Sequence, residues 1–421
     1  MHTFISLTNI GCGAFAATCL SFLCTFAQGE TLELVEAIKR AESSNPGLQA
    51  LRERLTAADE LVGSAGTLSD PTFQFTYFGE SVQTRTGPQE AIYSISQAVP
   101  WLSKLEVQKA LAVSQAEELS QIYRRVGLNL RRDVTKHFVE VDYIARAIES
   151  TETHIRLVDR MRTIAEEQVR GGGSLNTLLR LEVEWERVDD HLQKLRQEHY
   201  AERCKLAALL SLEENILGEV QMADTEFNSY QNKERLATRL LSKNPELLAL
   251  RQRTASSVRQ IKLARLDRYP DFKFGLNYIQ TDKSSIPTSD SGKDPWNVTV
   301  SVSLPVWKTK IRSEVRASIA QKRSIEQTLQ AREEELTAEL LTEIAAYKDN
   351  RARLQRYRDK LIPLAEQALE NSRTAYESNQ LSALEWIDSE RVLLDLKLSF
   401  WRAKANLRKS AAVIESLIGE E

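Results

Sequence analysis

The sequence predicts a mainly α-helical protein with a membrane β-barrel part, built as an internal duplication. Three observations carry that expectation. Residues 103–169 contain no proline and a single isolated glycine, and they place Leu119, Ile122, Val126, Leu130, Val134, Phe138, Val141, Ile144 and Ile148 three to four positions apart, the period of one helix face. Trp296 to Pro305 alternates instead: Trp296, Val298, Val300, Val302 and Leu304 against Asn297, Thr299, Ser301 and Ser303. A period of two gives a strand one apolar face and one small polar face. Finally, two separate motifs recur at a single shift of 199 residues (245 − 46 and 270 − 71).

The composition fits these elements. A net charge of −3 leaves no basic footprint for nucleic acid, and a charged fraction of 27% with few Gly and Pro suits long solvated helices.

Residues 1–27 read as an export signal. Ile10 to Phe26 is mostly apolar, and Thr25-Phe26-Ala27 supplies small residues at −3 and −1 for cleavage after Ala27. Cys24 opens a lipoprotein alternative, although Ser21-Phe22-Leu23 before it lacks the small residues of a lipid-attachment site. Cys12, Cys19 and Cys24 leave with the signal, so Cys204 stands alone and no internal disulfide forms. Cys204 sits among Leu206, Ala207 and Leu210 in a helical pattern and is expected to pack in a core. Beyond residue 27 no apolar run reaches the ~18–20 residues of a spanning helix, so any membrane crossing is made by strands.

The first repeat spans 28–212. Thr31 to Arg40 is a short helix, and Asn45-Pro46 restarts a second one that runs to about Gly66. Asn caps the amides there, and Pro fits the first helical position, whose amide has no partner. The period then switches to two over Thr72–Phe78 and Tyr93–Val99, a hairpin (about 72–99) around a polar loop, Gly79–Glu90. A long helix follows, then a turn at Gly171-Gly172-Gly173 and a return helix from about Asn176 to Leu212. Residues 213–232 read as an irregular linker.

The second repeat, 233–421, follows the same plan. Asn244-Pro245 answers Asn45-Pro46, and a second hairpin covers about 272–304. A long helix from Lys308 to Tyr376 turns at Ser378-Asn379-Gln380 into a last helix from Ser382 to Leu417. Pro363 inside the long helix is expected to kink it, either as a hinge or as a static bend. Four strands are too few to close a barrel, and an open edge in lipid leaves backbone groups unpaired. The strands are therefore expected to close between copies, with the long helices continuing as a periplasmic tube. An ordinary sandwich strand with one solvent face is the plain alternative for Trp296–Pro305, and a periplasmic coiled-coil scaffold or adaptor that never enters a membrane is the alternative of another class for the whole chain.

The whole mature chain resembles the TolC-like outer-membrane efflux protein family. The resemblance lies in the two Asn-Pro restarts, in the hairpins ending Val99-Pro100-Trp101 and Leu304-Pro305-Val306-Trp307, and in the two helix turns. Ser96-Gln97-Ala98-Val99-Pro100-Trp101-Leu102-Ser103-Lys104 is similar to the branch that works with heavy-metal exporters, with Ser103 where that branch has Gly. The resemblance implies a homotrimer pooling about twelve strands in the outer membrane, together with a periplasmic adaptor and a proton-driven inner-membrane pump of the RND type. It also implies a passive duct for heavy-metal cations. Multidrug efflux and type I protein secretion keep the architecture with another cargo.

Over Tyr376–Asp388 the resemblance implies an acidic gate at Glu385 and Asp388, which trimer symmetry makes into carboxylate rings that favour cations. Their spacing of three puts both on one helix face, and a solvated surface pair is the plain alternative. Asn379 replaces the family's usual Gly, and Leu381 stands where an Arg can occur. Adaptor contacts are implied at Gly172, Gly173, Leu175, Asn379, Leu381 and Ser382, although glycines at such a turn also serve simply as helix C-caps.

The sequence holds no nucleotide loop, nucleophile elbow or zinc spacing, so neither an enzyme activity nor a cofactor is expected. The five histidines are scattered and read as surface residues.

Overall fold

The computed structural model describes residues 31–222, 230, 232–285, 289–378 and 380–420. The export signal over 1–27 and Asn379 lie outside the described residues.

Both Asn-Pro pairs start helices. Helix α1 (Leu34–Ser44) ends at Asn45, and α2 (Pro46–Ser64) begins there, with Asn45 Oδ1 accepting from the Leu48 amide at 3.2 Å. In the second half α5 (Lys233–Lys243) gives way to α6 (Pro245–Leu266), and Asn244 Oδ1 accepts from Glu246 and Leu247. Each Asn also uses its amide nitrogen. Asn45 donates to the Leu209 carbonyl at 3.3 Å and Asn244 to the Leu417 carbonyl at 2.8 Å. Those carbonyls lie at the ends of the return helices α4 (Leu175–Leu209) and α9 (Ala383–Leu417), where the last carbonyls of a helix lack internal partners.

Helix α3 (Leu102–Arg170) is continuous for 69 residues, about 100 Å at 1.5 Å per residue. Helix α7 (Lys308–Arg356) and α8 (Ile362–Glu377) flank one π-helical turn, Tyr357–Leu361. Pro363 explains that turn. Its ring has no amide for the α-helical bond to Asp359 and crowds that carbonyl, and widening the preceding turn relieves the clash.

Three stretches of backbone differ from the sequence expectation. Thr31–Leu32 is not the start of a helix. It is strand β1, paired in parallel with β4 (Glu219–Val220), which lies in the stretch expected to be an irregular linker. A 3-10 turn, Glu214–Ile216, precedes β4. Runs of two and three residues are too short to show periodicity, and tertiary packing decides them: Leu32, Leu217, Val220 and Met222 close over Phe138 and Leu206 in one core cluster. Gly79–Glu90 is not a loop either. Strands β2 (Thr72–Thr84) and β3 (Gly87–Val99) continue to a tight turn at Arg85-Thr86, with a register shift between Tyr77 and Val82. The bulge breaks the alternation, which hides the strand from a period-two reading.

With β5 (Phe272–Thr281) and β6 (Trp296–Val302), the two hairpins form one antiparallel sheet in the order β2-β3-β5-β6. Neither β2 nor β6 has a partner strand on its outer edge among the described residues. The register joins Phe73, Ile95, Leu276 and Val298 into one row, and Phe75, Tyr93, Tyr278 and Trp296 into the next. One face of the sheet is thus apolar across all four strands, and it stands open: Trp296 is 68% and Val298 63% exposed. The other face is polar, with Asn277 Nδ2 donating to Asn297 Oδ1 at 2.8 Å and to Thr299 Oγ1 at 3.1 Å.

Where the sheet meets the helices, Asp271 ties the two halves together. It accepts from the Trp101 amide at 2.9 Å and from the Lys104 ammonium at 3.0 Å, while its own amide donates to Ser303 Oγ. Trp101 stacks on Tyr269 at 4.8 Å. Midway along the helices, α1 and α5 dress the long pairs. One cluster holds Leu130, Val134 and Phe138, and a second holds Leu240, Leu336, Ile344 and Leu407. Of the apolar positions read from the α3 sequence, Leu130, Val134, Phe138, Val141 and Ile144 are buried, and Leu119, Ile122, Val126 and Ile148 are half-buried. Cys204 is partly buried and carries a free thiol.

Candidate functional site

The end of the helices away from the sheet holds two turns, α3 to α4 and α8 to α9. A shared apolar cluster brings them together: Leu157, Val158, Met161 and Leu181 from the first pair, Ile387 from α9, with Leu178, Tyr376, Ala383 and Leu384 packed against it.

The first turn is shaped by its glycines. Gly172 has φ +96°, a conformation that disfavours any residue with a Cβ. A Cβ on Gly173 would stand 2.7 Å from the Gln168 carbonyl oxygen, which accepts the Gly173 amide at 2.7 Å. The turn is therefore a glycine helix terminus in its own right. Leu175 begins α4 and is 57% exposed.

At the second turn Ser382 caps α9. Its hydroxyl accepts from the Glu385 amide at 3.3 Å, and the Glu385 carboxylate accepts from the Ser382 amide at 2.9 Å and from its hydroxyl at 2.7 Å. This is a reciprocal capping box. The backbone amide and hydroxyl of Ser382 hold the Glu385 carboxyl below its usual pKa, so it carries its charge at neutral pH at the positive end of the helix dipole. Leu381 is half-buried at the turn.

Asp388 lies one turn further on and pairs with Arg391 Nη2 at 2.5 Å. Glu385 and Asp388 share a helix face but not a partner. Arg391 also reaches across to α4, where its Nε stands 3.4 Å from Glu184 Oε1. Glu184 takes Arg187 at 3.0 Å as well. The carboxylate of Glu184 thus links the helix of the acidic pair to its neighbour.

Beneath Glu184 lies His154 of α3, 1% exposed. It is not the surface residue expected from sequence. Neither ring nitrogen has a hydrogen-bond partner among the described residues, and Nε2 stands 3.9 Å from Glu184 Oε1. Burial pushes its pKa down, because a cation loses its hydration there. Glu184 and Asp395 oppose the shift, and Arg391 and Arg187 add to it. His137 also departs from a surface role, with Nδ1 2.7 Å from Glu202 Oε2. Sequence reading missed His154, Glu184 and Arg391 as a group. Each is an ordinary residue on its own helix, and only the packing of three helices brings them within reach. The heptad-like apolar rows flanking His154 were the available signal. No cluster of metal-ligating residues occurs among the described residues.

Residues 236–420 match the family model described as Outer membrane efflux protein. No curated protein matches the chain. Among solved structures, the outer-membrane channel OprN superposes with a TM-score of 0.78 at 16% identity, over 92% of this chain and 90% of that one. The outer membrane channel CmeC of Campylobacter jejuni gives a TM-score of 0.77 at 15% identity, over 92% and 85% of the two chains. The outer membrane protein VceC of Vibrio cholerae gives 0.75 at 15%, over 92% and 96%. At such identities the likeness is one of fold. The chain therefore has the fold of the outer-membrane channels, and its second half carries the sequence pattern of the outer membrane efflux protein family.

Proposed function

We propose that this chain is the outer-membrane component of a tripartite efflux system, a passive duct with no chemistry of its own. The observation that carries the reading is the sheet: four strands with one continuous exposed apolar face, a polar opposite face, and two edges without a partner strand among the described residues. In lipid each unpaired backbone group costs several kcal/mol, and four strands cannot close on themselves. Three copies, each giving two strands from repeat 28–212 and two from repeat 233–421, close a barrel of about twelve. The long helices continue it into the periplasm, where the turns at Gly172, Gly173 and Leu175 and at Asn379, Leu381 and Ser382 meet an adaptor. A proton-driven inner-membrane pump supplies the energy.

Glu385 and Asp388 form the acidic constriction in this reading, and heavy-metal cations are the cargo. The segment Ser96–Lys104 supports that cargo by its resemblance to the heavy-metal branch, and the paired carboxylates favour cations. A susceptibility panel on cells lacking the protein tests it. Sensitivity confined to transition metals is expected. Sensitivity to dyes and antibiotics with normal metal tolerance overturns the cargo and leaves the duct. Release of the protein from membranes by carbonate overturns the duct.

A further inference from the structure

A groove of about 370 Å³ opens between α6 and α7 at the end nearest the sheet. Arg265 and Arg268 line it from the end of α6, and Ile311, Arg312, Val315 and Arg316 from the start of α7; Ile311 and Val315 are half-buried and the four arginines exposed. Four exposed arginines line this one groove, and like charges gathered on one surface repel unless carboxylates stand between them. Here the nearby acids are engaged elsewhere: Asp267 pairs with Lys104 at 3.2 Å and Glu314 with Lys310 at 3.9 Å. Arg268 donates to the Tyr269 hydroxyl and Arg316 to Ser313 Oγ at 3.4 Å. Among the described residues no carboxylate pairs with Arg265, Arg268, Arg312 or Arg316. The groove therefore presents four arginine charges that no carboxylate among the described residues balances.

Its position narrows which anion suits it. Arg268 precedes the first residue of β5 by four positions, and Arg312 lies one helical turn inside α7. The apolar side chains of Leu304, Val306 and Trp307, 64–76% exposed, sit between the groove and the sheet. On the membrane reading proposed above, on which this inference rests, the apolar face of the sheet lies in hydrocarbon. The groove is then at headgroup depth, within the ~5–7 Å polar layer on the periplasmic side. Half-buried apolar side chains beside exposed arginines suit a molecule with an anionic head and an alkyl body. Guanidinium groups recognise phosphate oxygens in paired geometry.

We propose that the α6–α7 groove binds the phosphate of an anionic phospholipid of the periplasmic leaflet, with the start of its acyl chains on Ile311 and Val315. Bound lipid offsets part of the charge of the four arginines and anchors the membrane-proximal ends of α6 and α7.

The test is the number of phospholipids that the full-length protein retains in native mass spectrometry after purification from its own envelope in mild detergent. The triple variant Arg265→Gln, Arg312→Gln, Arg316→Gln is compared with a control carrying the same charge change at exposed Arg353, Arg356 and Arg373. Wild type and control are expected to retain anionic phospholipid, and the groove variant to lose it by roughly tenfold or more. Equal retention in all three overturns the proposal. So does a groove that takes inorganic phosphate in the delipidated protein while retaining no lipid, since that is a site for a dissolved anion. Carbonate extraction of the same membranes separates the two levels. A protein that stays in the membrane but shows equal retention overturns the groove alone, and one that washes off overturns the channel reading with it.

Discussion

Arg391 of α9 and Glu184 of α4 face one another with Nε 3.4 Å from Oε1. The same guanidinium holds Asp388 at 2.5 Å. One of the two acids proposed for the constriction is therefore tied through a single arginine to the neighbouring helix pair. Substituting Arg391 by Gln removes the link at a cost of roughly 1–2 kcal/mol, because Glu184 is nearly buried but Arg391 is partly solvated. Faster hydrogen exchange over the first turns of α9 is expected, with a larger single-channel conductance in reconstituted membranes. Unchanged conductance would show that the link does not hold the constriction.

The capping box separates two roles of Glu385. A Gln at that position still reaches back to the Ser382 amide but carries no charge. Glu385→Gln combined with Asp388→Asn is expected to lower cation selectivity severalfold while leaving the start of α9 intact. Ser382→Ala is expected to do the reverse, costing about 1 kcal/mol of local helix stability. Reversal-potential and hydrogen-exchange measurements on the two variants distinguish charge from cap.

His154 gives the packed turns a pH dependence. Its pKa is lowered in the folded state, chiefly by burial, so near the ordinary value of 6.5 the unfolded chain binds the proton more readily. Stability then rises with pH across that window. It is fully present above 6.5 and declines as pH falls from there toward the lower folded value. A falling thermal midpoint between pH 7.5 and 5.5 is expected, and His154→Leu is expected to remove much of that slope. An identical slope in the variant would assign the dependence to other groups.

The two faces of β6 are expected to respond oppositely to charge. Val298 points with Leu276 and Ile95 to the apolar side, and Thr299 points with Gly275 to the polar side. Val298→Lys is expected to cost about 2–4 kcal/mol in a bilayer and to block assembly. Thr299→Lys is expected to assemble and alter conductance. Heat-resistant oligomer on gels and outer-membrane fractionation report the difference.

The elements with local, repeated signals are legible without the fold. The apolar rows of α3, the alternation in β6 and the Asn-Pro restarts are each fixed by a side-chain period or a capping rule. All three are found where those rules put them. Pro363 announced a disturbance in its helix, and only the backbone showed that a π-helical turn absorbs it. Tertiary structure alone decided the rest. The two-residue pairing of Thr31–Leu32 with Glu219–Val220 has no period to read. The strands through Gly79–Glu90 were hidden by a bulge. The burial of His154 under Glu184 and Arg391, and the four arginines lining the α6–α7 groove, depend on which helices lie side by side. That choice is made by the summed packing of residues far apart in the chain, and no local pattern records it.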